Sequence, residues 1–430
     1  MPEHLEDLDV LIWLPGQPEA VLAGQVRSEG ASTSFVYDPG YLLLKHAIPI
    51  FQADLPLDHR RLYPAEPHLL APSLRDALPD RWGRRAIAAK LSNLPRPRIR
   101  EDDLDDITVM LGSNSDRIGA LEFQRKGHTL SQRADDTIAL GDLFRLSQQI
   151  ERGEAISQDL MRLIPHCASV GGARPKALYT QAETGRKYIA KFPAEDDTYP
   201  VIAGEYIAMR LAALAGLNVA PVAIAKLGKV DVLLVERFDR KPHPDGSQTR
   251  RAMVSALTWA QETEISAHHI SYGELAQIIE TQFRDPQRDQ VEMLKRLAFN
   301  ILVGNSDDHA RNHAAFTNGR SLELTPAYDI APQRRTSHEA GQAMTLANGS
   351  RAAQLRNAAA LAPLFGISNK QFRQIVDQQV ETIVAGWSDA CDAACLAQND
   401  RDAFAGRQVF NPYAFEGFGP VPGLPSPRAF

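Results

Sequence analysis

The chain has 430 residues, 44% of them hydrophobic and 23% charged, with a formal net charge of −6. That length and balance support a sizeable core and two or three domains, and they exclude a chain disordered throughout. The acidic charge argues against a bulk nucleic-acid binder, and no apolar run reaches the roughly 18 residues that span a membrane. Three cysteines, Cys167, Cys391 and Cys395, are too few for a disulfide framework or a four-cysteine zinc site. Their scarcity fits a reducing cytosol. Met1 to Asp7 offers neither a basic n-region nor an apolar h-region, so a cytoplasmic location without a secretory signal is expected.

In chain order, residues 9–125 read as β-rich with helical inserts. Asp9 to Leu14 is a short apolar strand turned by Gly16 and Pro18, and Ser32 to Tyr37 is another, stopped by Asp38-Pro39-Gly40. Residues 81–100 carry seven Lys or Arg and residues 101–106 carry five acids, which is most simply a solvated surface. Contact with nucleic acid through arginines such as Arg81, Arg84 and Arg85 is the minority reading. Residues 137–152 have the apolar spacing of an amphipathic helix.

Strands then dominate to about residue 238. Ala177-Leu178-Tyr179 and Tyr188 to Phe192 flank a Glu183-Thr184-Gly185 turn and predict a hairpin. Residues 202–215 predict a helix ended by Gly216, and 220–225 with 231–235 predict a strand pair around Gly228. From about residue 250 the chain reads as mainly helical, over 273–283, 290–303 and 355–398, interrupted by a short strand at Leu322-Glu323-Leu324. If the last of these helices is continuous, Cys391 and Cys395 share one face. Four prolines in the last dozen residues predict a flexible or draped tail.

The chemistry concentrates in Asn305-Ser306-Asp307-Asp308-His309-Ala310-Arg311-Asn312-His313. Asp307 and Asn312 are five residues apart, the spacing of a kinase catalytic loop, where the Asp orients a substrate hydroxyl and the Asn reaches magnesium. Asp329 follows seventeen residues after Asn312, where a kinase needs a second acidic magnesium ligand, although here Tyr328-Asp329-Ile330 stands in place of Asp-Phe-Gly. Upstream, Lys191 lies in a predicted strand and resembles the strand lysine that pairs with ATP phosphates. Glu205 lies fourteen residues later on a predicted helix, and Leu234 to Phe238 is placed as a hinge for adenine. Each feature alone has an ordinary explanation: a solvated lysine, a surface glutamate, a capping aspartate with a core histidine. Their order along the chain is the stronger signal. A metal-dependent phosphohydrolase centred on Asp307, Asp308 and His309 would need further ligands that the sequence does not supply.

No GxGxxG or GxxxxGK[ST] loop precedes Lys191; the nearest candidate is Ser169-Val170-Gly171-Gly172-Ala173-Arg174-Pro175-Lys176. This segment resembles the phosphate loop of HipA-family kinases. So do Val235 to Arg240, Asn305 to His313, Pro326 to Asp329, Leu78 to Arg84 and Asp116 to Leu121. The resemblance implies an α+β HipA-like kinase fold. It would comprise a β-rich N-terminal module over 1–130, a strand-rich small lobe over 131–245, a helical large lobe over 246–418 and a tail over 419–430. It implies ATP- and magnesium-dependent serine/threonine phosphorylation of a protein substrate, often an aminoacyl-tRNA synthetase, that restrains growth. It further implies a helix-turn-helix antitoxin partner of the HipB kind, through which operator DNA would be met. By resemblance, Asp307 is the base, and Asn312 and Asp329 bind magnesium. Gly171, Gly172 and Ala173 line the phosphate loop, Lys191 holds phosphates, and Glu236 and Phe238 flank adenine. Glu205 pairs with Lys191, His309 props the loop, and Ser169 is a site of inactivating autophosphorylation. The alternative is a catalytically silent, kinase-like co-repressor that binds the antitoxin.

Overall fold

The computed structural model describes residues 7–92, 99–113, 115–128, 138–242 and 247–424. The chain forms two compact units. The first takes its described residues from 1–194, 227–254 and 316–320, and the second from 195–226, 255–315 and 321–430.

The first unit opens with β1 (Asp7–Trp13), β2 (Ala20–Glu29) and β3 (Ser32–Tyr37). Helices α1 (Arg81–Ser92) and α2 (Asp106–Gly112) precede β4 (Leu121–Arg125), and the four strands form an antiparallel sheet in the order β3-β2-β1-β4. Strand β1 is central and buries Leu8, Val10 and Ile12 completely on one face. Strand β2 escaped the sequence reading because Gly24 interrupts its pattern. Glycine is required there: a Cβ would lie 2.2 Å from the Val36 carbonyl. The basic and acidic blocks answer each other, Arg84 with Asp106 at 2.7 Å and Arg81 with Glu101 at 3.6 Å, and Arg85 donates to the Glu151 carbonyl. Two of the three arginines offered for nucleic acid are therefore committed within the fold.

Helix α3 (Leu140–Arg152) begins three residues later than expected, and residue 137 lies outside the described residues. The predicted hairpin is present as β5 (Lys176–Thr180) and β6 (Lys187–Lys191), and β7 (Val230–Glu236) pairs antiparallel with β6. The short strands Arg240–Pro242 and Gln248–Arg250 lie beyond the reach of the sequence reading.

Two of the sequence segments above meet here. The guanidiniums of Arg237 and Arg240 both reach Asp116, at 3.1 and 2.9 Å, and both donate to Asp239 at 2.9 Å. Lys187 adds a third cation to Asp116 at 3.0 Å, and Asp239 accepts the Gly119 amide. Buried charges persist only when paired and hydrogen-bonded in this way. Burial alone would raise the Asp116 carboxyl, but Arg237, Arg240 and Lys187 hold it well below the usual range.

The second unit is helical. Helix α4 (Val201–Leu214) is buried on nearly every face and ends at Gly216. Helix α5 (Tyr272–Gln282) is capped by Ser271, and α6 (Pro286–Val303) by Asp285 with proline in its first turn. Helix α7 (Asn369–Ala393) carries a Ser368–Gln371 capping box and packs against α4, where Gly386 leaves room for Leu214. Because α7 ends at Ala393, Cys395 leaves the helix and does not share its face with Cys391. The described part of the tail is draped: Val421 is buried, and Arg373 donates to the Phe418 and Pro420 carbonyls. Residues 425–430 lie outside the described residues. No helix among the described residues is long and apolar enough to cross a membrane.

Candidate active site

Helix α6 delivers the Asn305–His313 loop. It stops at Gly304, whose φ of +74° and whose closeness to the Gln408 carbonyl, 2.5 Å from an added Cβ, exclude a side chain. Asn305 turns the chain by bonding its amide to the Asn300 carbonyl and its Nδ2 to the Asn300 side chain. Asp307 then projects outward and is exposed, whereas Asp308 points inward and is buried. The Asp307 carbonyl accepts the His309 amide at 2.9 Å and the Asn312 side-chain amide at 3.2 Å. These bonds fold the five-residue interval into one tight loop, and with Nδ2 so used, Asn312 keeps Oδ1 as the oxygen open to a cation.

Asp329 follows the Leu322–Leu324 strand by five residues. Buried Arg296 donates to the Thr325 carbonyl at 2.8 Å and the Asn218 carbonyl at 3.2 Å, Ala327 bonds with Asn218, and the Tyr328 hydroxyl donates to the Arg311 carbonyl. Asp329 itself has a φ of +61°, a left-handed conformation that aspartate tolerates better than most residues. Its carbonyl lies 3.5 Å from Asn305 Nδ2. Partial desolvation, with repulsion from Asp329 and Asp308, raises the Asp307 carboxyl above its ordinary range, while His309 acts against them.

Asp307, Asp329 and Asn312 carry hard-oxygen donors, two carboxylates and one amide oxygen. That suits magnesium, which takes one or two carboxylates and completes its shell with waters and phosphates. Among the described residues no cluster of three or more His, Cys, Asp or Glu could hold a metal unaided.

In the first unit, the Ser169–Lys176 segment leads into β5. The Ser169 hydroxyl is buried and donates to the Pro165 carbonyl at 2.9 Å, the capping geometry of an ordinary turn. Gly172 has a φ of +103°, Gly171 is half-buried and Ala173 is exposed. Lys176 and Lys191 are directly paired residues of β5 and β6, and the Lys176 ammonium lies against Gly172. Glu236 pairs with Tyr188 in the ladder and contacts Arg186 at 3.4 Å, and Phe238 packs edge-on against Phe316 at 5.8 Å. Glu205 is buried on α4 in the second unit. Sequence reasoning assigned no role to Tyr272 and His313, which hold Asp308, to Lys176 at the end of the Ser169–Lys176 segment, or to Asp80, whose carboxylate accepts the Gly172 amide.

A glycine-containing loop, a strand lysine, and an Asp–Asn loop followed by a further Asp give this α+β chain the element order of a two-lobed kinase fold. Within that class it belongs to the HipA family. Residues 168–387 match the HipA-like C-terminal domain and residues 11–136 the HipA N-terminal domain. The serine/threonine-protein kinase toxin HipA of Shewanella oneidensis is 27% identical over 240 residues, 50% of this chain and 54% of that protein. Toxin YjjJ of Escherichia coli is 27% identical over 274 residues, 60% of this chain and 58% of that protein. The matches to these two curated relatives thus span little more than half of their length. The structure of Shewanella oneidensis HipA in complex with HipB and its operator DNA shares the fold. Its TM-score is 0.62 at 20% identity, over 92% of this chain and 93% of that one.

Proposed function

We propose that this chain is an ATP- and magnesium-dependent serine/threonine protein kinase of the HipA toxin type. The observation that carries the reading is the second unit's loop, in which Asn312 is tied to the Asp307 carbonyl at 3.2 Å and the Asp329 carbonyl lies 3.5 Å from Asn305 Nδ2 at the loop's start.

Asp307 is the base: exposed and poised above the usual carboxylate range, it orients a substrate hydroxyl and accepts its proton. Asn312 and Asp329 would hold magnesium, which with ATP supplies the transferable phosphoryl group and neutralises charge developing on it. Gly171, Gly172 and Ala173 are proposed to offer backbone N–H groups to phosphate, and Lys191 its ammonium. Glu236 and Phe238 flank adenine, and His309 supports the loop. The protein substrate, of the aminoacyl-tRNA synthetase class, would be phosphorylated to restrain growth. A helix-turn-helix antitoxin would neutralise the kinase and bring it to operator DNA. Autophosphorylation of Ser169 requires this loop to leave its turn, because the hydroxyl is buried and bonded to Pro165.

Incubation with labelled ATP, magnesium and cell extract tests the reading. Transfer to protein by the unaltered chain, lost in Asp307→Asn, supports it. ATP binding without transfer would instead favour the silent co-repressor, and release of free phosphate alone a phosphohydrolase.

A further inference from the structure

The Leu78–Arg84 segment has no part in the mechanism above, yet it is built onto the phosphate loop. Trp82 donates its amide to the Gly172 carbonyl at 3.0 Å and its indole N–H to the Lys176 carbonyl at 2.8 Å. Gly83 brings α1 so close that an added Cβ would lie 3.0 Å from the Val170 carbonyl and 3.1 Å from the Ala168 carbonyl. These contacts dock α1 against the loop without using any charge. The Asp80 side chain does something different. Its Oδ1 accepts the Gly172 N–H, and its carboxylate lies 3.3 to 3.6 Å from where a Cβ on Gly171 would sit.

We infer that Asp80 is a built-in counter-anion of the phosphate loop, holding the Gly172 amide that a nucleotide phosphate must take over. The inference rests on the proposed reading of Gly171–Ala173 as that loop. One N–H serves one anion well, and a carboxylate bound there is a charge-assisted acceptor, roughly twice as strong as a neutral one. An incoming triphosphate meets both the occupied amide and a like charge, so Asp80 must rotate away before phosphate seats. The backbone dock through Trp82 and Gly83 stays in place meanwhile. Asp80 thereby weakens nucleotide binding and keeps the loop shaped when nucleotide is absent.

Asp80→Asn tests this, because it keeps an oxygen acceptor for the Gly172 amide while removing the charge. Titration calorimetry of the full chain with magnesium and a non-hydrolysable ATP analogue should show binding tightened by roughly three- to tenfold. Adenosine, which lacks phosphates, should bind both proteins equally. Asp80→Ser, neutral and smaller, should behave like the Asn variant, and it carries the measurement if Asp80→Asn melts early. Analogue affinity that is unchanged or weakened, or a change shared equally by adenosine, overturns the assignment while leaving the phosphate-loop reading intact. If the analogue binds the unaltered chain no better than adenosine, the phosphate-loop reading fails and the role of Asp80 fails with it.

Discussion

Nε2 of His313 lies 2.9 Å from Oδ1 of Asp308, and the Tyr272 hydroxyl donates to the other oxygen of the same carboxylate. Burial would raise the Asp308 carboxyl, but His313, Tyr272 and Asn300 together hold it below the usual range. The two neighbouring aspartates therefore divide the labour: Asp308 anchors the loop from beneath, and Asp307 stands in the open. Asp308→Asn should lower folding stability by about 1–3 kcal/mol, the usual consequence of disturbing a buried charged hydrogen bond. Asp307→Asn should leave the melting temperature near that of the unaltered chain and reduce phosphoryl transfer by roughly 10²- to 10⁴-fold. Thermal melts and transfer assays on both variants check this division. Equal melting temperatures with equal loss of transfer would contradict it.

Asp329 sits at a φ of +61°, so its identity has both a backbone and a metal consequence. Asparagine tolerates the left-handed region nearly as well as aspartate, whereas alanine pays about 1 kcal/mol or more. Asp329→Asn and Asp329→Ala should both lose magnesium-dependent transfer, and only the alanine variant should also lose stability. Urea titration beside a transfer assay separates the two effects, and full transfer by either variant would sink the magnesium assignment.

What the sequence disclosed was what lies close along the chain. The β5–β6 hairpin is one turn long, and Asp307 and Asn312 are five residues apart, so both are legible as patterns. Strand β2 was missed because Gly24 reads as a breaker, although the approach of Val36 is what demands it. The contacts that lock the molecule are of another kind. Asp80 reaches Gly172 across 92 residues and Asp116 reaches Arg240 across 124, and no periodicity links such partners. Resemblance pointed to the segments but not to their being one another's partners.

The Asp116 cluster should be a sensitive electrostatic feature of the first unit. Asp116→Ala leaves Arg237, Arg240 and Lys187 without their shared counter-charge. Removing one member of a buried ion network typically costs about 3–5 kcal/mol. Urea unfolding monitored by tryptophan fluorescence should show a loss of that order. Arg27→Ala, which breaks the partly exposed pair with Asp7, should change the midpoint little.

Asp54 gives stability an unusual slope with pH. Its Oδ2 accepts the Ser73 amide at 2.7 Å, but burial, with repulsion from Asp76, pushes its carboxyl up to about 6. The unfolded chain releases this proton near pH 4, so between pH 4 and 6 the folded state holds a proton that the unfolded state has lost. Stability from Asp54 is therefore fully present below pH 4 and declines as pH rises toward 6, by on the order of 1–3 kcal/mol. Asp116 and Asp239 act with the opposite sign: their carboxyls are held down by arginines, so their contribution is lost as pH falls below 4. Asp54→Asn should leave the acid limb unchanged and raise stability at pH 7 relative to the unaltered chain. Urea midpoints measured from pH 3 to 8 check this. A difference between the two proteins that stays constant from pH 4 to 7 would show that Asp54 does not titrate in that window.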